Sequence, residues 1–444
     1  MVDSITFDHC IVRLAETVCC LVQEADFSQL RVVRDMDGRL YLTVPDEWSE
    51  DTIGKLRDQL STTLGPYSPG VNSGVARYNE TLAGESLIHE PSLLQWVDDT
   101  GVHIVERRAM GQDWVVQPSL QNDAHPPRFV FHSLKGGVGR STALMLWGRD
   151  LVRQGYTVLL LDLDLEAPGL GPHMLSAEAH PDYGLLDWLV EDLVGNASRS
   201  IVSEMVAESP LVDQPGLWVA PAVGAKSKRY PDNVVAKLAR AYLEGDDGSS
   251  FARRLQRMVA ALEHEIEPDV VLVDSRAGLH ETVASNLLHL NAEVFFFAVD
   301  VPATWEGYRY LFSHLAQLAS TTRKNGDHVD WRFRFHMVHA RASMKERDKR
   351  KFASSAYGVW VDTLYDASPV PVELTDDEEA MFTFDENDPE APHWPLSILR
   401  SDHFEAFDPV EQLADVGEHA IREAFGELFA GLQSYLTLLT ERSG

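Results

Sequence analysis

The feature that most constrains this chain is a run of glycines between an apolar stretch and a helix-like stretch. Residues 135–142 read Lys-Gly-Gly-Val-Gly-Arg-Ser-Thr, after the apolar residues 129–131 and before the mainly apolar residues 143–147. Glycines let successive backbone N–H groups point inward, and the N-terminus of a helix adds partial positive charge. The order therefore predicts a strand, a phosphate-binding loop and a helix.

This loop resembles the deviant Walker A loop of the ParA/MinD family of ATPases, which reads K-G-G-x-G-K-[ST]-[ST]. The resemblance implies that Lys135 reaches the phosphates bound by a second subunit, that Ser141 binds Mg²⁺ and that Thr142 contacts the α-phosphate. Arg140 replaces the usual second lysine, and a guanidinium is bulkier than an ammonium and not interchangeable with it. The expected nucleotide-binding residues of the loop are Lys135, Gly136, Gly137, Val138, Gly139, Arg140, Ser141 and Thr142.

Two apolar runs that end in carboxylates follow the loop in the order that the same family shows. Residues 157–164 read as a buried parallel strand that ends at Asp162 and Asp164. Residues 269–278 look like a Walker B strand that ends at Asp274, with Arg276 where the family usually has proline. The resemblance implies that Asp162 and Asp274 help to bind Mg²⁺ and that Asp164 orients the attacking water.

Two further apolar runs, residues 294–302 and 333–341, read as strands. The second is similar to the family strand whose end contacts the purine, with His339 in place of the usual asparagine and Arg341 at the matching arginine. The resemblance implies that His339 and Arg341 contact the base, and that the base is adenine. A half-buried strand with charged ends is the alternative interpretation.

The alternation of these strands with helical stretches predicts an α/β fold, a doubly wound and mostly parallel sheet of the P-loop NTPase type. Ligands of such sheets bind beyond the carboxyl ends of the strands, where the residues named above fall. A small N-terminal α+β domain is expected in addition. The expected division is an N-terminal domain of residues 1–120, a linker of residues 121–127, and an ATPase domain of residues 128–444 that includes an acidic insertion at 373–390 and a C-terminal helix at 409–440.

The N-terminal domain is expected to hold two hairpins. The Asp37-Gly38 pair indicates a turn between two short strands, and a second hairpin is predicted from residues 102–105 and 114–116 around Met110-Gly111. No motif that carries chemistry occurs in these residues. By elimination, we expect residues 1–120 to bind a protein partner.

Charge and cysteine content bear on partners and compartment. A formal net charge of −31 disfavours nucleic acid, which would require a concentrated basic patch, for which residues 226–229 and 345–351 are the candidates. The amphipathic C-terminal stretch is not basic, and no apolar run is long enough to span a bilayer, so no membrane attachment is expected. The three cysteines are an odd number without the regular spacing of a disulfide framework, and no secretory signal is evident. Both observations favour a reducing cytoplasm.

The sequence thus predicts a cytoplasmic, ParA/MinD-like ATPase that binds ATP and Mg²⁺ and acts as a nucleotide-dependent homodimer switch. Lys135, Arg140 and Asp164 are its expected catalytic residues, and slow turnover is expected because of Arg140. A regulatory or multi-component system, such as phage defence, is the expected setting. The alternatives are a non-hydrolysing nucleotide-binding scaffold and an ATP-dependent ligase or synthetase on the same fold, against which Lys135 counts.

Overall fold

The structure is a computed structural model that describes residues 5–22, 26–70, 72–97, 100–108, 111–118, 125–245, 247–324, 330–366, 381–405 and 407–443. The chain divides into two units, residues 1–117 with 314–328, and residues 118–313 with 329–444. Most of the expected linker, residues 121–124, and much of the expected acidic insertion, residues 373–380, lie outside the described residues.

The first unit is built on a mixed five-stranded sheet in the order β3-β2-β1-β5-β4. Its helices are α1 (Phe7–Leu21) and α2 (Glu50–Leu64), and its strands are β1 (Arg31–Arg34), β2 (Leu40–Val44), β3 (Val75–Arg77), β4 (Leu93–Val97) and β5 (Thr100–Glu106). The hairpin predicted at Asp37-Gly38 is present, since β1 and β2 pair antiparallel and Gly38 has a φ of 85°. The α1 and α2 helices bury their leucine and isoleucine faces in one apolar core with this sheet.

The second predicted hairpin is wrong. Strand β5 pairs antiparallel with β4, which precedes it, and parallel with β1. Trp114 lies in a short 3₁₀ turn, Gln112–Val115, instead of a strand. A hairpin is a local interaction, whereas β5 finds one of its two partners about seventy residues earlier in the chain, so tertiary pairing overrides the local turn signal.

The second unit is built on an eight-stranded sheet in the order β13-β12-β11-β6-β10-β7-β9-β8. Every pairing within it is parallel except that of β8 with β9. The strands are β6 (Arg128–Ser133), β7 (Val158–Leu163), β8 (Ala207–Glu208), β9 (Leu217–Ala220), β10 (Val270–Ser275), β11 (Glu293–Ala298), β12 (Phe335–Ala342) and β13 (Leu396–Leu399). This is the α/β fold that the sequence predicted, with an additional N-terminal unit.

Helices cover both faces of this sheet, which is why its central strands are continuous apolar runs rather than alternating ones. Phe295 and Phe297 of β11 lie in the core that α3 and α13 complete, while Phe296 between them packs on Tyr308 and Phe312 of α11. The helices are α3 (Arg140–Arg153), α4 (Leu170–Met174), α5 (Leu185–Leu193), α6 (Arg199–Ser203), α7 (Ala225–Arg229), α8 (Val234–Ala241), α9 (Phe251–Ile266), α10 (Glu281–Ala284), α11 (Pro302–Lys324), α12 (Glu346–Val361) and α13 (Pro409–Ser443).

The α3 helix is held tightly against the centre of the sheet, and this fixes the loop before it. Trp147 packs edge-on against Phe129 of β6, with ring centroids 4.9 Å apart. A Cβ at Gly148 would meet Leu160 of β7 at 3.2 Å, so the helix approaches the sheet as closely as glycine allows. Among the described residues, no helix has both the length and the apolar character needed to cross a bilayer.

Candidate functional site

The candidate site begins at the loop that joins β6 to α3, residues 134–139. Gly137 and Gly139 have φ angles of 71° and 88°, in the left-handed region that favours glycine. A Cβ at either position would meet no atom within 4 Å, so the space beside the loop is open. The loop ends at the first turn of a 14-residue helix, whose free N–H groups and dipole favour an anion.

Two hydrogen bonds fix this turn, one within it and one from the loop that follows β10. Ser133 Oγ donates to the Lys135 carbonyl at 2.9 Å, and the backbone N–H of Gly278, past the end of β10, donates to the Ser133 carbonyl at 2.9 Å. Lys135 itself is exposed, while Ser141 and Thr142 in the first turn of α3 are half-buried. The residues predicted to bind phosphate therefore lie along one turn of main chain at the carboxyl end of β6.

Two buried aspartates lie side by side at the carboxyl ends of the neighbouring strands. Asp162 of β7 is in register with Asp274 of β10, and both are inaccessible to solvent. Asp162 Oδ2 accepts hydrogen bonds from the N–H groups of Gly169 and Leu170 at 3.1 and 3.0 Å, and its Oδ1 has no hydrogen-bond partner. Burial, together with the charge of Asp274, raises the pKa of Asp162 to about 8.

Arg140 turns inward and connects these carboxylates. Its Nε donates to Asp274 Oδ1 at 2.5 Å, its Nη1 to Ser133 Oγ at 3.3 Å and its Nη2 to Asp164 Oδ2 at 3.4 Å. Burial acts to lower the pKa of Arg140, but Asp274 and Asp164 outweigh it and hold that pKa above its ordinary value. Burial also raises the pKa of Asp164, whose Oδ1 has no hydrogen-bond partner.

A second set of polar side chains surrounds Glu166, and of these only Arg276 was named from the sequence. Arg276 pairs with Glu166 Oε1, Tyr242 donates to the same oxygen at 2.5 Å, and His280 Nε2 lies 3.5 Å from it. Burial raises the pKa of the Tyr242 hydroxyl. These contacts join the segment after β7 to the loop after β10. The position of Glu166, two residues past Asp164, was a signal in the sequence; nothing there pointed to Tyr242.

The end of β12 carries the two residues that were expected to contact the base. The ring of His339 is buried and stacks on Phe352 of α12, with centroids 3.8 Å apart, and burial lowers the pKa of His339 to about 4. Arg341 is exposed, has a φ of 54°, and donates from Nη2 to the carbonyl of Gly137 in the loop. The structure thus brings Arg341 to the glycine loop between β6 and α3, whereas His339 contacts α12.

The carboxylates suit a divalent cation that is shared with a phosphate group. Among the described residues, no group of three or more His, Cys, Asp or Glu side chains is arranged to hold a metal ion. Mg²⁺, however, usually takes one or two carboxylates and completes its shell with water and substrate phosphates. The unpartnered Oδ1 atoms of Asp162 and Asp164 fit that pattern.

Fold and site together define an α/β protein of the P-loop type, with a glycine loop before a helix and acidic residues at the carboxyl ends of β7 and β10, two strands that pair with each other. No protein-family model matches the chain, and no curated protein matches it.

Solved structures similar to the chain include a plasmid partition protein of Borrelia burgdorferi B31 bound to AMPPNP, at 15% identity over 70% of this chain and 100% of that one, with a TM-score of 0.39. They also include an McdA variant of Cyanothece in complex with ATP, at 15% identity over 71% and 97% of the two chains, with a TM-score of 0.41. A third is cobyrinic acid a,c-diamide synthase of Mycobacterium smegmatis with an ATP analogue and magnesium, at 17% identity over 56% and 87%, with a TM-score of 0.36.

Proposed function

We propose that the chain binds ATP with Mg²⁺ at residues 135–142, hydrolyses it slowly, and acts as a nucleotide-dependent homodimer switch in a regulatory or multi-component system. One observation carries this proposal. An open loop with Gly137 and Gly139 in left-handed conformation precedes α3, next to buried carboxylates that retain unpartnered oxygens. Loop amides and a helix N-terminus stabilise phosphate charge, and the carboxylates suit the cation that accompanies a triphosphate.

Each predicted residue has a definite task in this proposal. The loop amides bind the phosphate oxygens, Thr142 contacts the α-phosphate, and Ser141, Asp162 and Asp274 hold Mg²⁺. The metal ion would supply positive charge to the transferring phosphoryl group. Asp164, at the edge of the same cluster, would orient the attacking water. The exposure of Lys135 supports its proposed reach to the phosphates of a second subunit.

Residues 1–120 are the proposed binding region for a protein partner, and the cytoplasm is the proposed compartment. Hydrolysis would separate the two subunits and release whatever residues 1–120 hold. His339 and Arg341 are the residues proposed from the resemblance for the base.

The contacts of Arg140 favour a second candidate, a nucleotide-binding scaffold that does not hydrolyse. The guanidinium lies 3.4 Å from Asp164, the residue proposed to orient water, and pairs at 2.5 Å with Asp274. A carboxylate that is paired with a guanidinium is a weaker base than a free one. If this pairing persists with nucleotide bound, binding would set the assembly state without turnover.

The experiment measures binding, turnover and assembly separately on the full chain. Titration calorimetry with ATP and Mg²⁺ tests the site, and absence of binding would contradict the proposal. Phosphate release by the wild type is compared with that of Asp164→Ala: a lower rate in the variant supports an ATPase, and equal rates support the scaffold.

Light scattering with and without ATP tests the switch. We expect a dimer only with ATP, lost in Lys135→Ala and retained in Lys55→Ala, which removes an exposed lysine of α2. A mass that does not respond to nucleotide would exclude the switch.

A further inference from the structure

Arg140 stands where a P-loop normally provides a lysine for the phosphates, yet its side chain is committed elsewhere. All three guanidinium nitrogens have acceptors inside the protein, two of them on the carboxylates of Asp274 and Asp164. The side chain is 9% exposed, and Asp274, its closest partner, is 2% exposed. Breaking a buried ion pair leaves an uncompensated charge, which is a strongly unfavourable change. Arg140 is therefore poorly available to a phosphate group.

Arg341 has the opposite properties. Its side chain is exposed and donates to the Gly137 carbonyl in the middle of the loop, a neutral acceptor that an anionic ligand can readily replace. A guanidinium can bind phosphate oxygens through two parallel N–H groups. Arg276 is less suited, because the carboxylate of Glu166 already neutralises it.

The backbone at Arg341 supports a functional reason for this placement. Its φ of 54° lies in the left-handed region, which is strained for a residue other than glycine. The pairing of β12 with β13 is irregular between His339 and Ala342, so the strand bends there. Such bends re-aim a side chain at the end of a strand. Here the re-aimed side chain reaches a loop more than two hundred residues earlier in the sequence.

We propose that the two arginines divide the role of the missing lysine: Arg341 binds the terminal phosphates of the nucleotide from within the same subunit, and Arg140 holds Asp274 and Asp164 in position. This inference rests on the proposed nucleotide site and changes the task of Arg341 from the base to the phosphates. In a chain with a net charge of −31, a local cation at the loop also offsets the repulsion of an anionic ligand.

The test compares ligands that have a base with one that has none. Calorimetry with excess Mg²⁺ measures the affinities of the wild type, Arg341→Ala and Arg341→Lys for ATP, GTP and inorganic tripolyphosphate. We expect Arg341→Ala to weaken ATP, GTP and tripolyphosphate by a similar factor of about 10- to 100-fold, as the loss of a charged hydrogen bond implies. Arg341→Lys should recover part of the loss. Arg350→Ala, which removes an exposed arginine paired with Glu346 on α12, should change none of the affinities.

A structural role is separated from a binding role by two further variants. Arg341→Gly removes the guanidinium together with the backbone strain, so it should lose phosphate affinity while its midpoint of thermal unfolding stays the same or rises. Arg140→Gln should lower that midpoint without any ligand, because it leaves Asp274 without its partner.

Each outcome decides between the alternatives. If Arg341→Ala leaves tripolyphosphate affinity unchanged but alters the preference for ATP over GTP, the residue contacts the base and the inference is overturned. If the wild type binds ATP and tripolyphosphate and Arg341→Ala binds them equally well, the inference alone fails. If the wild type binds neither ligand, the proposed function fails, and the inference fails with it.

Discussion

Replacing Asp162 by asparagine should stabilise the nucleotide-free protein. The carboxylate is inaccessible to solvent, its Oδ1 has no hydrogen-bond partner, and its pKa is raised from 3.8 to about 8. At pH 7 this carboxyl takes up a proton on folding, and each pKa unit between 3.8 and pH 7 corresponds to ~1.4 kcal/mol, so the raised pKa costs the folded chain ~4 kcal/mol at most. Asparagine has the same shape and no charge, and its oxygen can accept from Gly169 and Leu170 as Oδ2 does.

The expected gain is smaller than this upper bound because the new amide group is buried too. Burying an incompletely bonded polar group costs ~1–2 kcal/mol, which leaves a net stabilisation of ~2–3 kcal/mol and a rise in the unfolding midpoint on the order of 5 °C. The same substitution removes a proposed Mg²⁺ residue, so it should weaken binding of ATP with Mg²⁺. A residue that destabilises the fold while serving a ligand is a common feature of functional sites.

The pH dependence of the stability difference shows whether the raised pKa of Asp162 causes it. Because the pKa of Asp162 is raised on folding, its favourable contribution is complete below pH 3.8 and is lost as the pH rises through about 8. The advantage of Asp162→Asn over the wild type should therefore widen between about pH 5 and about pH 8. Circular dichroism melts with a chelator present, without nucleotide, measure this.

A matched control comes from a half-buried carboxylate that has partners. Asp192 accepts from Arg254 at 2.8 Å and from Arg257 at 3.0 Å, so Asp192→Asn should lower stability. An Asp162→Asn protein that is less stable than the wild type near neutral pH, or whose advantage does not grow with pH, would refute the reasoning.

Three other predictions follow from the same contacts. Gly137→Ala should weaken ATP binding about tenfold in calorimetry, because alanine costs ~1–2 kcal/mol at a φ of 71°. The control is Gly155→Ala, at the end of α3, where φ is 99°. It should lower the midpoint of a thermal melt but leave the affinity for ATP unchanged. Arg254→Ala should lower the free energy of unfolding by ~3–5 kcal/mol in urea titrations, because Arg254 is fully buried against Asp192; an effect below ~1 kcal/mol would contradict this. Burial lowers the pKa of His339 to about 4, so its stabilising contribution is present above pH 6.5 and lost toward pH 4, and His339→Phe should be less sensitive to acid than the wild type in melts across that range.

The strands of the second unit and the glycine loop could be predicted from sequence because the signals are local. A strand buried on both faces needs a continuous apolar run, and β6, β7, β10 and β11 each provide one. A loop that binds an anion needs glycines before a helix, and residues 136–139 supply them. Carboxylates that follow parallel strands lie at the same edge of the sheet, so the sequence also predicted that Asp162 and Asp274 lie at one site.

The rest depended on contacts between distant parts of the chain. The motif placed Arg140 in the loop, but its inward direction is set by Asp274, 134 residues later. Likewise, the left-handed φ of Arg341 and its contact with Gly137 follow from the irregular pairing of β12 with β13, which no local pattern announces. The partners of β5 were misjudged for the same reason, because one of them is β1.

The central position of β6 also bears on how the chain is made. Its neighbours in the sheet, β10 and β11, begin at Val270 and Glu293, more than 130 residues after β6 ends. A nascent chain on the ribosome would therefore carry its glycine loop for much of its synthesis with neither neighbouring strand in place. Binding of ATP at the proposed site would then require that the central strands have paired. ATP added during translation should therefore protect the completed chain from proteolysis much more than any shorter intermediate.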